Sequence, residues 1–203
     1  MKIKDTNTEH AILQAAEEIF LEKGYAASRT TAIAQLAGVN HAMLHYYFRS
    51  KENLFNKVFD DKVQLLASSF LLILQQEFPF LDKIKLIIEA HFDFLVSNPK
   101  IPSFILTEIT TNSERKKMVE KIFSHKASAI IAQLTAEMSD EIKRDSITKT
   151  NAMDLILNIV SLNVFSIVAS QLFFKTKRGI KNFLMQRKKN NVAIILKSLQ
   201  VIT

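Results

Sequence analysis

His41 and His45 stand four residues apart, a spacing that sets both imidazoles on one face of a helix. Such a pair can begin a zinc site, but zinc takes three or four protein ligands. No carboxylate or third histidine follows at helix-compatible spacing, so neither a metal nor a cofactor is expected. The chain has no cysteine, which removes thiolate ligands, disulfides and cysteine nucleophiles. It also lacks a Gly-rich phosphate loop, a Gly-x-Ser-x-Gly nucleophile turn and a His-Glu-x-x-His pair. An enzyme is not expected. What remains is recognition chemistry: Asn40, His41, Ala42, His45 and Tyr46 form an outward set of short polar side chains, an aromatic ring and a bare methyl. Such a set can meet base edges in a major groove.

That set needs a scaffold, and the neighbouring residues supply one. Two short helices, about 30–37 and 41–48, are separated by a three-residue turn, the helix-turn-helix plan. Ile33 and Leu36 should anchor the first inward, and small Ala34 and Ala37 permit close approach. Gly38 makes the turn, Val39 plugs it from below, and Leu44 and Phe48 anchor the second helix. A preceding helix carries Ile12, Leu13, Ala16, Ile19 and Phe20 at helical spacing and ends near Gly24. Ser50 caps a longer helix bearing Leu54, Phe55, Val58, Phe59 and Leu66 on one side.

Gly24-Tyr25, then Ile33-Ala34-Gln-Leu-Ala37-Gly38-Val39, then Leu44-His-Tyr-Tyr47-Phe48-Arg-Ser50-Lys51-Glu52-Asn-Leu54 form an ordered string. It resembles the DNA-binding head of TetR-family transcriptional regulators over about residues 8–58. The resemblance implies an all-helical homodimer whose heads bind a palindromic double-stranded DNA operator, with a C-terminal body sensing a small-molecule effector. Carried over by position, it implies that Thr30 and Thr31 open the first short helix beside a phosphate. Asn40 takes the place of a Ser or Thr cap, and His41, Ala42, His45 and Tyr46 lie on the recognition helix. Tyr47 and Lys51 match positions that hold the DNA backbone. Three residues depart from the pattern: Ala42 where Gly is common, His45 for a frequent Tyr, and Arg29 where a small residue or Thr is usual. The operator of a relative is therefore not transferable.

The remaining chain reads as helix throughout. With 3 Gly and 3 Pro in 203 residues, far below average usage, a sandwich or barrel is excluded and the fold class is all-α. Helices are predicted near 81–97, 103–110, 114–138, 150–174 and 180–200, with Pro79, Asn98-Pro99, Pro102 and Lys177-Arg178-Gly179 as interruptions. The expected organisation is a three-helix head over residues 1–50 and a sensing and dimerisation body over 51–203. The net charge of +7 is unevenly spread. Residues 1–57 carry 7 basic and 6 acidic side chains, whereas 171–203 carry 8 basic and none acidic. The basic stretch 175–189 reads either as a solvated face or as an anion site.

The 152–174 segment is apolar almost all round and raises the question of a membrane span. Asn158, Ser161, Asn163, Ser166, Ser170 and Gln171 would be costly in lipid, so a helix buried on two sides is the expectation, with no membrane partner. Leu155 and Leu162 of this helix, with the seam Val192, Ile195, Leu199 and Ile202, are the candidate dimer interface. Polar groups on otherwise inward stripes mark a candidate effector pocket: His91 beside Ile84, Ile88 and Leu95, together with Asn158 and Ser161. Phe70, Phe92, Phe104, Phe123 and Phe165 would complete it. Taken singly, each reads first as ordinary core, with His91 a hydrogen-bonded buried histidine; together they form the pocket expectation. The polar N-terminus lacks the apolar stretch of a secretory signal, so a cytoplasmic location is expected. The functional reading is a ligand-responsive DNA-binding regulator, in particular a repressor released by a small apolar or amphipathic effector. The alternative is a helical protein-interaction module without operator binding.

Overall fold

The structure is a computed structural model. It describes residues 6–68, 73 and 76–201, without the side chains of 6, 67, 123, 125–127, 129 and 130. Among the described residues the ordered elements are all helical: α1 (Thr6–Ala27), α2 (Thr30–Leu36), α3 (His41–Phe48), α4 (Lys51–Ser68), α5 (Phe80–Ser97), α6 (Ile101–Thr111), α7 (Ser113–Lys143), α8 (Ala152–Phe173) and α9 (Lys177–Leu199). Helix starts follow local hydrogen-bond chemistry. Asn40, Ser50, Asn151 and Thr176 each accept a backbone N–H three residues ahead, as capping side chains do. Thr176 explains a difference from the sequence expectation. Its cap starts α9 at Lys177, so Gly179 sits in the first turn instead of ending a loop.

The chain forms two compact units, residues 1–64 with 103–119, and residues 65–102 with 120–203. The first unit is built on aromatic packing. Ile12, Ala16 and Phe20 of α1 are buried with Ile33, Leu44, Phe48, Leu54, Phe55 and Phe59. The Phe20 and Phe55 rings meet edge to face at 4.8 Å, and Phe55 stacks on Phe59 at 6.0 Å. Phe104 joins them, 5.5 Å from Phe55 and 5.7 Å from Phe59. Phe104, expected in the effector pocket, therefore packs in the core of the first unit.

In the second unit α5, α8 and α9 pack against one another. Ile84, Ile88, Leu134, Met138, Leu155, Ile159, Ile195 and Leu199 share one buried cluster, and Phe92, Leu95, Ile167 and Leu184 another. Both seams offered for dimerisation thus turn inward. Leu155, Ile195 and Leu199 are buried, Leu162 and Val192 are partly buried against the same cluster, and Ile202 lies outside the described residues. The reason is that a lone apolar seam serves its own core as readily as a partner's.

A polar thread runs through this apolar interior. Asn163 donates to the Ile88 carbonyl at 3.0 Å and lies 3.2 Å from His91 Nδ1. Asn191 donates to Asn163 Oδ1 at 2.9 Å, and Arg187 donates to Asn191 Oδ1 at 2.9 Å. His91 is thus a hydrogen-bonded core histidine. Burial lowers its pKa to about 4, because the charged imidazolium is poorly solvated there. The unfolded chain binds this proton from about pH 6.5 downward and the folded chain does so near 4. Stability should therefore fall as pH drops through that window, by about 3 kcal/mol from this group. Urea unfolding of wild type and His91→Gln across pH 7 to 4 checks this: the variant should lack that share of the slope.

Candidate nucleic-acid interface

The first unit turns α3 outward by burying its other side. Leu44, Tyr47 and Phe48 fall on one helical face and are buried, whereas His41, Ala42, His45 and Tyr46 are exposed together. Gly38, at φ +68°, turns the chain between α2 and α3, where a side chain would be strained. Asn40 accepts from the Met43 N–H at 2.8 Å and so fixes where α3 begins. Thr30 Oγ1 lies 2.9 Å from His41 Nε2, tying the start of α2 to the start of α3. Thr31 is exposed on the first turn of α2.

Two residues depart from the pattern. Leu36 is 49% exposed, so Ile33 and Ala34 anchor α2 without it. Tyr47, expected on the phosphate side, is 9% exposed with its ring edge-on to Tyr46 at 5.5 Å. Its position three residues after Leu44 places it on the buried face. Lys51, in the first turn of α4, is half-buried. Its ammonium lies 4.4 Å over the Tyr25 ring and donates to the Ala26 carbonyl at 3.5 Å. A cation held at a helix N-terminus is a fitting phosphate contact. Arg49, not singled out from the sequence, ends α3 at φ +65° with its guanidinium 5.9 Å over the Tyr46 ring.

Behind this surface lies a charge cluster with no signature in the sequence. Arg115, buried, donates to Glu108 at 2.6 Å and to Glu52 at 3.0 Å. Its guanidinium lies 4.1 Å over Phe55 and 4.5 Å over Tyr25. The hydroxyl of Tyr25 is held above its ordinary pKa, first by its hydrogen bond to Glu52 and then by burial. The partners lie 63 and 7 residues from Arg115, so periodicity could not pair Arg115 with Glu52.

The expected pocket residues do not form one site. Phe70 lies outside the described residues, as does the side chain of Phe123. Asn158, Ser161 and Phe165 are exposed, Phe104 belongs to the head core, and His91 is enclosed in the polar thread. The second unit instead holds a groove of about 570 Å³ between α5, α8 and α9, lined in part by Phe92. Among the described residues no group of three metal-ligating side chains gathers.

Residues 12–58 match the model of bacterial regulatory proteins of the tetR family. Over those residues the chain is similar to TetR-family regulators. The fatty acid metabolism regulator protein of Bacillus subtilis (strain 168) is 26% identical over 111 residues, which span 55% of this chain and 56% of that relative. The chain therefore matches about half the length of this curated relative. Among solved structures, HlyIIR, a hemolysin II transcriptional regulator, superposes with a TM-score of 0.63 at 25% identity, covering 96% of this chain and 98% of that one. The Bacillus subtilis regulator FadR, solved in complex with stearoyl-CoA, gives 0.70 at 18% identity over 95% of this chain and 100% of that one. At that identity the likeness is one of fold.

The Arg115 cluster gives the first unit a measurable property. Arg115→Met should destabilise it by about 3–5 kcal/mol, because Glu108 is left buried without its cation. Adding Glu108→Met should recover much of that loss. Urea denaturation of the two variants and wild type checks both expectations.

Proposed function

We propose that this chain is a DNA-binding transcriptional repressor. In this reading it binds a palindromic operator as a homodimer and releases it when a small apolar or amphipathic effector binds the second unit. The observation that carries the reading is the exposed cluster of His41, Ala42, His45 and Tyr46 on a helix whose opposite face is fully committed to the core. One such helix covers only a few base pairs. Two copies about 34–36 Å apart, or a multiple of that, would read successive major grooves. Thr31, Asn40, Arg49 and Lys51 would flank the bases, with Thr30 holding His41 in place.

The dimer face in this reading is the outward stripe of α8. Leu157, Phe165 and Leu172 are 55%, 65% and 69% exposed, an apolar patch of the kind that marks an interface. The helix is long and apolar enough to cross a membrane by length and composition. Its inward side, however, carries buried Asn163, Ser166 and Ser170 bonded within the second unit, and its exposed side includes Asp154, Asn158 and Ser161. A partner copy fits that mixed face better than lipid. A cytoplasmic regulator without catalytic activity accords with this reading.

Duplexes selected from a random pool provide the test. His45→Ala should weaken binding at least tenfold in fluorescence anisotropy while sedimentation still shows a dimer. Unchanged affinity would favour an interaction module over a regulator. Residues 1–57 carry a net charge near +1. The fall of affinity with salt should therefore be present but shallower than for strongly basic repressors, and a flat salt response would contradict the reading. Leu157→Glu with Phe165→Glu should yield monomers by sedimentation and lose operator binding with them.

A further inference from the structure

The groove of the second unit has a chemistry of its own. Its floor and walls include Phe92, Val96, Ile167, Ile180, Leu184 and Met185, and its rim carries Lys177, Lys181, Lys188 and Asp93. Lys188 donates to Asp93 at 2.6 Å, so the rim's carboxylate is already engaged. Among the described residues neither Lys177 nor Lys181 pairs with a carboxylate, and both are exposed. Residues 171–203 contain no acidic side chain that could neutralise them. A volume of about 570 Å³ lies within the range of small-molecule sites, which combine apolar walls with a few polar groups that fix orientation.

We infer that this groove binds a single-chain aliphatic carboxylate. The chain lies against Phe92, Val96, Ile167 and Met185, and the carboxylate meets Lys177 and Lys181. Charge complementarity decides the class. A neutral chain would leave the paired cations unused, and a cationic amphiphile would be repelled by them. The assignment gives the basic stretch at the start of α9 a role: it is one wall and the anionic end of a ligand site. Its regulatory meaning rests on the effector reading proposed above, whereas its binding chemistry does not.

Calorimetric titration of the full chain with sodium decanoate, 1-decanol and decyltrimethylammonium tests the assignment. Decanoate should bind at least tenfold more tightly than decanol, and decyltrimethylammonium more weakly than either. Lys177→Glu with Lys181→Glu should abolish the preference for decanoate, with helix content by circular dichroism unchanged. Val96→Glu, at a partly exposed position, should remove binding of decanoate and decanol alike. Equal binding of decanoate and decanol, tight binding of the cation, or a preference that survives the double lysine variant would overturn the assignment. So would a Val96→Glu chain that still binds decanoate but sediments as a smaller species, since the groove would then belong to a second copy. If decanoate binds as described and affinity for the selected duplex does not change, the site stands and the effector-linked reading fails.

Discussion

A helix of eight residues has almost no stability of its own, since nucleation is costly and few hydrogen bonds follow it. Whatever α3 presents to the outside, it presents only because Leu44, Tyr47 and Phe48 are driven into the core of the first unit. The exposed face of α3 depends on that one-sided burial. The capping bond of Asn40 and the left-handed turn at Gly38 set where the helix starts and which way it faces. The aromatic interior of Phe20, Phe55, Phe59 and Phe104 gives it a rigid base. Recognition groups on a rigid element are held more closely than groups on a loop.

The same head contains a costly feature. Arg115, Glu108 and Glu52 are charged groups drawn together beside Tyr25, and buried ion pairs seldom add net stability over apolar packing. Their arrangement has a geometric consequence. Glu52 and Lys51 are adjacent in the first turn of α4. Lys51 is held over Tyr25, and the Glu52 carboxylate is bound by Arg115 from residues 103–119. Two successive side chains at the start of α4 are thus fixed from separate parts of the sequence, which sets how that helix leaves the recognition surface.

Much of this is legible in the sequence, and the reasons differ by element. Few glycines and prolines, with apolar spacing of three and four, located the helices to within a few residues, because helix periodicity is a local property. The helix-turn-helix was legible because its turn demands particular residues at fixed offsets. The order of side chains around α3 followed from 3.6-residue geometry, except that Tyr47 falls with Leu44 on the buried side. Which face of a helix meets which neighbour is not legible in this way. Leu155, Ile195 and Leu199 read as a partner-facing seam but lie in their own unit's core, because periodicity gives a stripe and not its destination. The pattern places Leu36 inward, although a seven-residue helix needs only Ile33 and Ala34 as anchors. Phe104 enters the pocket expectation by residue type and His91 as a polar group on an apolar stripe, and tertiary structure sends one to the core of the first unit and the other into a polar thread. The Arg115 cluster and the lysine-rimmed groove depend on long-range proximity, which no local pattern encodes.

The most direct test of the recognition face is hydroxyl-radical footprinting of the full chain on duplexes enriched from a random pool. The account predicts an enriched inverted repeat, with two protected patches related by two-fold symmetry and centred one helical turn or a whole multiple apart. A pool that shows no enrichment, or a single unsymmetrical protected patch, would contradict it.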